Sequence, residues 1–218
     1  MLKREDITRE RVEQLVAEAK KIGHFTTLTH SEREENRSAF LKDWPAGKDL
    51  WVFGYGSLIW NPAFWFAEKR PCRIFGYHRR FCLQLTIGRG SPQLPGLMLA
   101  LDRGGSCSGL AFRIEARHIE SETKILWMRE MISGAYRPHW LNVHMADSVI
   151  PGFTFVVNHK HDRYIREMGI KQTAQALARG KGPLGSCREY LELTIEGLKE
   201  VNIHDSYLKQ LQKALENL

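Results

Sequence analysis

Cysteine is scarce and unpatterned in this chain. Four occur among 218 residues, Cys72, Cys82, Cys107 and Cys187, with no Cys-x-x-Cys pair and no spacing that suits a metal site or a disulfide framework. They read as reduced, mostly buried thiols. Long apolar runs are missing as well. No stretch approaches the roughly 18 uninterrupted apolar residues of a membrane span, and Lys3, Arg4, Glu5 and Asp6 stand where a signal peptide would begin its apolar core. The expectation is a cytoplasmic protein with no membrane segment. Internal repeats and low-complexity tracts are absent, and a hydrophobic content of 43% is ample for a packed core, which excludes a disordered chain.

Acidic residues are the minority charge, 25 against 32 Lys and Arg, for a formal net charge of +7. Such an excess suits polyanions and equally suits small acidic substrates. Its distribution argues against nucleic acid, because the basic residues are scattered in short pairs such as Lys20-Lys21 and Arg79-Arg80. The aromatic-rich string at 51–60 contains no Lys or Arg, so it lacks the basic and aromatic interleaving of a single-strand binding platform.

What is present organises into helices at both ends with strands between them. Val12, Leu15, Val16 and Ala19 recur at the i, i+3, i+4, i+7 spacing of an amphipathic helix over 6–22, with Gly23 as a natural stop. Ser31 and Glu34 have capping-box spacing for a second helix, ended by the loop at 43–47. Residues 1–48 read as a helical N-terminal extension, and 49–218 as the main domain. Strands are predicted at 51–55, 73–85, 97–102 and 107–114, the last two joined by a hairpin turn at Arg103-Gly104-Gly105-Ser106. A helix follows over 116–131, then strands at 139–145 and 153–158 joined through Pro151-Gly152, then helices at 172–178, 186–201 and 206–217. This order predicts a single-domain α+β fold with a small, mainly antiparallel barrel or sheet and flanking helices.

The residues with chemical potential are few. The apolar run ending in Val52-Phe53 breaks into Gly54-Tyr55-Gly56-Ser57-Leu58. Two glycines flanking an aromatic residue at a strand end can leave backbone N–H groups open to a ligand oxygen, forming an anion or carbonyl cradle; an isolated Gly-x-Gly is more often just a tight turn. Gly56-Ser57-Leu58 is not a Gly-x-Ser-x-Gly elbow, so Ser57 reads as a hydrogen-bonding group and not a nucleophile. His159 and His161 could share a strand face but have no third ligand at metal spacing, so no metal is expected. Arg79 and Arg80 alternate faces on a strand, which lets at most one meet a substrate carboxylate. Arg129-Glu130 alone describes a surface ion pair on a helix. Neighbouring helical side chains leave about 100° apart, which makes Arg129 a supporting charge.

These pieces, taken in order, resemble the ChaC family of gamma-glutamylcyclotransferases. The resemblance is carried by Val52-Phe53-Gly54-Tyr55-Gly56-Ser57-Leu58-Ile59-Trp60, by Gly76-Tyr77-His78-Arg79-Arg80-Phe81, and by Arg89-Gly90 with Pro95-Gly96. It continues through Gly109-Leu110-Ala111-Phe112-Arg113, Leu126-Trp127-Met128-Arg129-Glu130-Met131 with Gly134 and Tyr136, and Gly182-Pro183-Leu184-Gly185 with Tyr190-Leu191. It spans about 51–195, and residues 1–48 look like the extension of the longer bacterial-type members. The resemblance implies a gamma-glutamylcyclotransferase-like fold and a cofactor-free enzyme that splits glutathione into 5-oxoproline and cysteinylglycine. It puts Glu130 at the catalytic position and assigns Phe53, Gly54, Tyr55, Gly56, Ser57 and Leu58 to substrate binding. Tyr136 and Tyr190, beside matched motifs, are second-tier pocket candidates. The alternatives are a cyclotransferase for other γ-glutamyl amino acids or amines, and a non-catalytic binding module of the same fold.

That chemistry explains the residue types. The α-amine of the γ-glutamyl group attacks its own side-chain carbonyl, so a shaped loop must hold the chain folded; such positioning supplies ~7–11 kcal/mol of barrier. The amine starts as an ammonium and the leaving amine must gain a proton, which one carboxylate can manage. Burial of Glu130 beside Trp127, Met131 and Tyr136 would raise its pKa from ~4.3 toward the useful range.

Overall fold

Five strands close into a barrel in the order β1-β3-β2-β4-β5. They are β1 (Leu50–Gly54), β2 (Glu68–Leu85), β3 (Gly96–Ile114), β4 (Tyr136–His144) and β5 (Val149–Val157). All pairings are antiparallel except that of β5 with β1, which runs parallel through Val52 and Phe153. Closure rests on two short seams, Arg73 with His144 between β2 and β4 and Val52 with Phe153 between β1 and β5. Leu50, Val52, Ile74, Leu99, Leu101, Phe112 and Phe153 fill the interior and are fully or almost fully buried. The computed structural model describes residues 3–22 and 26–218. The expected helix stop at Gly23 therefore lies outside the described residues, as does the side chain of Ala19.

Helices surround the barrel: α1 (Arg9–Ile22), α2 (His30–Leu41), the single turn α3 (Ser57–Trp60), α4 (Ile119–Glu130), α5 (Ile170–Arg179), α6 (Cys187–Lys199) and α7 (Ser206–Glu216). A small pair, β6 (Lys181–Gly182) and β7 (Gly185–Ser186), precedes α6. The α4 helix plugs the barrel with Trp127, whose ring meets Phe153 at 5.5 Å and Phe155 at 5.1 Å. The N-terminal segments are built onto this same helix. Arg4 donates to the buried Glu122 at 2.9 Å, Arg37 donates to Glu120 at 2.8 Å and Thr123 at 3.1 Å, and the Trp127 indole donates to Asn36 at 2.8 Å.

Three local expectations change. The four residues 103–106 are not a hairpin turn, because β3 runs unbroken through them. Gly104 and Gly105 have φ of 95° and 67°, and Gly76 on the partner strand has φ of 84°. The register between β2 and β3 shifts there, between Phe75 and Tyr77. The glycines therefore bend two paired strands at a bulge, and the real hairpin connection lies at 86–95. Pro151-Gly152 is likewise inside β5, opposite Asn142 and Leu141, while the β4–β5 turn closes through the Met145 N–H to Ser148 O bond of 2.8 Å. A Cβ at Gly152 would come within 3.0 Å of Trp51 O, so this glycine serves close strand approach. The capping box of α2 is Thr29 with Glu32, at 3.2 and 2.7 Å, and not Ser31 with Glu34.

Candidate active site

The strand β1 delivers the chain to the barrel mouth, where Tyr55 and Gly56 turn it into α3. The α4 helix ends beside this turn at Glu130, and α6 brings Tyr190 against it. Together they line a cavity of about 460 Å³, a volume suited to a ligand of small-peptide size. Of the expected loop residues, Tyr55, Gly56, Ser57 and Leu58 line the cavity, as do Glu130, Tyr136 and Tyr190. Phe53 and Gly54 do not. The Phe53 ring is wholly buried in the barrel core. Gly54 backs onto Phe112, whose ring would lie 2.9 Å from an added Cβ.

Glycine at 56 has a specific cause. A Cβ there would sit 2.6 Å from the Tyr190 hydroxyl, so its absence lets the phenol reach the turn and accept the Ser57 N–H at 3.2 Å. The Tyr55 hydroxyl donates to Phe155 O at 2.9 Å and that of Tyr136 to Leu99 O at 2.7 Å. Burial pushes the pKa of Tyr55 and Tyr136 well above the ordinary tyrosine value and that of Tyr190 up to about 12, with the nearby Glu130 adding to each. All three phenols are neutral at physiological pH.

Among the described residues two carboxylates line the cavity, Glu130 at the end of α4 beside the turn and Glu18 on α1. The Glu130 side chain is 16% exposed, and its Oε1 lies 3.0 Å from Arg129 Nε. Burial raises its pKa above the ordinary glutamate value, and the Arg129 charge offsets part of that rise. The divergence expected between the two side chains is overcome by the length of the arginine and by the end of the helix. Arg129 also donates to Ser57 Oγ at 2.7 Å, Asn61 O at 2.5 Å and Pro62 O at 3.2 Å. One guanidinium thus ties the loop, the end of α3 and the carboxylate into a fixed unit, and it occupies Ser57 Oγ as a hydrogen-bond acceptor. Nothing in the spacing of the sequence signals this link, because Asn61 and Pro62 meet Arg129 only through the fold.

The other candidates lie elsewhere. Arg79 is buried and donates to Tyr55 O at 2.6 Å and Ser108 O at 2.7 Å, so it braces the loop from behind. Arg80 is spent on Asp102 and on the carbonyls of Ile165 and Arg166. His159 meets Asp102 at 2.7 Å and His161 meets Ser133 O at 2.9 Å. Among the described residues, no group of three His, Cys, Asp or Glu could hold a metal ion. Arg89 and Arg163 line the cavity, as do Arg11, Leu15, Val16 and Glu18 of α1, and none of these was anticipated as a site residue. Arg89 does fall in a matched motif. The apolar residues of α1 read as ordinary core, and Arg163 has no sequence signal.

Comparison with known proteins identifies the family and the fold. The ChaC-like protein family matches residues 50–218. The glutathione-specific gamma-glutamylcyclotransferase of Escherichia coli (strain K12) is 36% identical over 188 residues, which cover 86% of this chain and 81% of that protein. The protein of the same name from Schizosaccharomyces pombe is 33% identical over 165 residues, 65% of this chain and 79% of that protein. The crystal structure of a yeast gamma-glutamyl cyclotransferase specific to glutathione shares the fold, with a TM-score of 0.70 at 22% identity over 78% of this chain and 96% of that one. Among the described residues, no helix is long and apolar enough to cross a membrane.

Proposed function

The chain belongs to the ChaC family, and from that premise we propose that it is a glutathione-specific gamma-glutamylcyclotransferase in which Glu130 carries the proton. The observation that carries this reading is the mostly buried Glu130 carboxylate in the same cavity as the Tyr55–Leu58 turn. The glutamyl head of glutathione lies against the turn, folded so that its α-amine faces its γ-carbonyl. Glu130 takes a proton from the α-ammonium, the freed amine attacks the carbonyl carbon of the γ-glutamyl amide, and the carbonyl oxygen becomes an oxyanion. N–H groups of the turn stabilise that oxygen, with the Tyr190 hydroxyl beside them at the turn; losing one such donor typically costs ~2.7–4 kcal/mol. The ring nitrogen sheds its second ammonium proton as the intermediate collapses, the bond to the cysteinyl nitrogen breaks, and that nitrogen gains both protons by way of Glu130 and leaves as an ammonium. The products are 5-oxoproline and cysteinylglycine, with no water consumed and no covalent enzyme intermediate.

Arg129 keeps Glu130 aimed, and its charge offsets part of the rise in pKa that burial causes. In this reading 49–218 is the catalytic domain and 1–48 an extension built against it. The protein works in the cytoplasm, in keeping with four free, buried cysteines, on a small acidic peptide and not on nucleic acid or membrane. Incubation of the purified protein with glutathione, followed by mass spectrometry, tests the assignment. Equimolar 5-oxoproline and cysteinylglycine are expected, and intact glutathione after prolonged incubation would overturn it.

A further inference from the structure

The cavity that contains Glu130 takes one wall from α1, a helix that precedes the residues matched to the family. Val12, almost wholly buried, and the packing of α1 on α4 fix this helix in place. Arg11, Leu15, Val16 and Glu18 then line the cavity. Glutathione brings two carboxylates and one ammonium at neutral pH. Its glycine carboxylate is the end most remote from the γ-carbonyl, so with the glutamyl head at the turn it needs a partner among the cavity residues away from the turn.

The arginines of the cavity are not equally available to it. Arg129 is engaged by Glu130 and Ser57. Arg89 is buried and bonds Glu189 at 2.7 Å and Ser186 O at 2.6 Å. Arg163 donates to Gln84 O at 2.6 Å and Ser133 Oγ at 3.2 Å. Arg11 is exposed, and among the described residues its guanidinium bonds only the neutral Gln14 carboxamide, at 2.9 Å. Gln14 in turn donates to Glu18 at 2.9 Å. We propose that Arg11 recognises the glycine carboxylate of glutathione, which makes the N-terminal helix a determinant of specificity. The inference rests on the assignment of glutathione as substrate.

Steady-state release of 5-oxoproline from glutathione and from its glycyl ethyl ester, in the wild type, Arg11→Ala and Arg11→Lys, tests it. The ester keeps the reacting head and removes only the distal charge. Arg11→Ala should raise KM for glutathione about tenfold with kcat unchanged and leave KM for the ester within about twofold, so that the preference for the free acid disappears. Arg11→Lys should retain most of that preference. Equal loss on both substrates, or no loss on either, would overturn the role of Arg11. A wild type that releases 5-oxoproline from neither substrate would instead overturn the underlying assignment of function, and the inference with it. Arg11 is an exposed helical residue, so the alanine variant is expected to fold.

Discussion

Replacing Glu130 by glutamine removes a proton carrier without changing its shape. Glutamine can neither accept the proton of the α-ammonium nor return one to the leaving amine, so kcat should fall at least ~10²-fold, the lower end of what general acid–base transfer is worth. That is ~2.7 kcal/mol of barrier. Arg129 loses its ionic partner at 3.0 Å but keeps its bonds to Ser57, Asn61 and Pro62, so the loop should hold its form and bind glutathione with affinity close to wild type. Stability should move the other way from activity. The pKa of Glu130 is raised in the folded protein, with burial outweighing Arg129, so the native state holds this proton more tightly than the unfolded chain. Its contribution to stability is therefore fully present below the unfolded pKa of ~4.3 and is lost as pH rises through the folded value. At neutral pH the wild type bears that loss and Glu130→Gln does not. The variant should melt no lower than wild type at pH 7, and any advantage should vanish below pH ~4. Calorimetric binding, thermal melts across pH and 5-oxoproline release measure the three quantities. A folded variant turning over within tenfold of wild type would refute Glu130 as the proton carrier.

Three further outcomes are expected. Gly56→Val puts a side chain where a Cβ alone would lie 2.6 Å from the Tyr190 hydroxyl; it should break the bond from Ser57 N–H and cut kcat/KM at least ~10-fold, and near-normal kinetics in a folded variant would sink the role of the turn. Arg129→Lys keeps a positive charge but cannot reproduce four contacts from one planar group, so it should lower kcat more than it raises KM, and an unchanged kcat would show that charge alone suffices. Reduced glutathione should be preferred over γ-glutamyl-alanine and over oxidised glutathione in competition assays, because they share the glutamyl half and only contacts to the rest can discriminate; equal kcat/KM would point to a broad γ-glutamyl specificity.

The barrel was legible in the chain because apolar strands punctuated by glycine carry both secondary structure and approximate order. The errors concern what the punctuation does. Gly104-Gly105 and Pro151-Gly152 have the composition of turns, yet each sits in the middle of a strand. A bulge and a turn ask for the same positive φ, and only pairing across the barrel decides between them. Gly76, opposite Gly104-Gly105 on β2, has the matching positive φ. The α2 cap shows the same ambiguity at shorter range. Thr29-Glu32 and Ser31-Glu34 both have the required spacing, and the box forms at the pair nearer the start of the helix.

For the cavity, the chain disclosed groups whose function depends on local shape and concealed those whose function depends on assembly. The turn at 55–58 could be read from Gly56 and the preceding Gly54. Arg129 could not, because on a helix it diverges from Glu130, and its tie to both Glu130 and the loop exists only where α4 ends against α3. Arg11 is a further step removed. The apolar spacing of α1 announces a buried face without saying what that face covers, and its charged residues look like solvent-facing ones in any amphipathic helix. Its position over the cavity follows from two anchors outside that spacing: the Arg4 ion pair with buried Glu122, and the packing of α1 on α4. Both anchors end on the helix that carries Glu130. A helix attached there is held in register with the carboxylate it accompanies, so a contact made by Arg11 to the far end of a peptide would be positioned relative to the reacting end by the same rigid element.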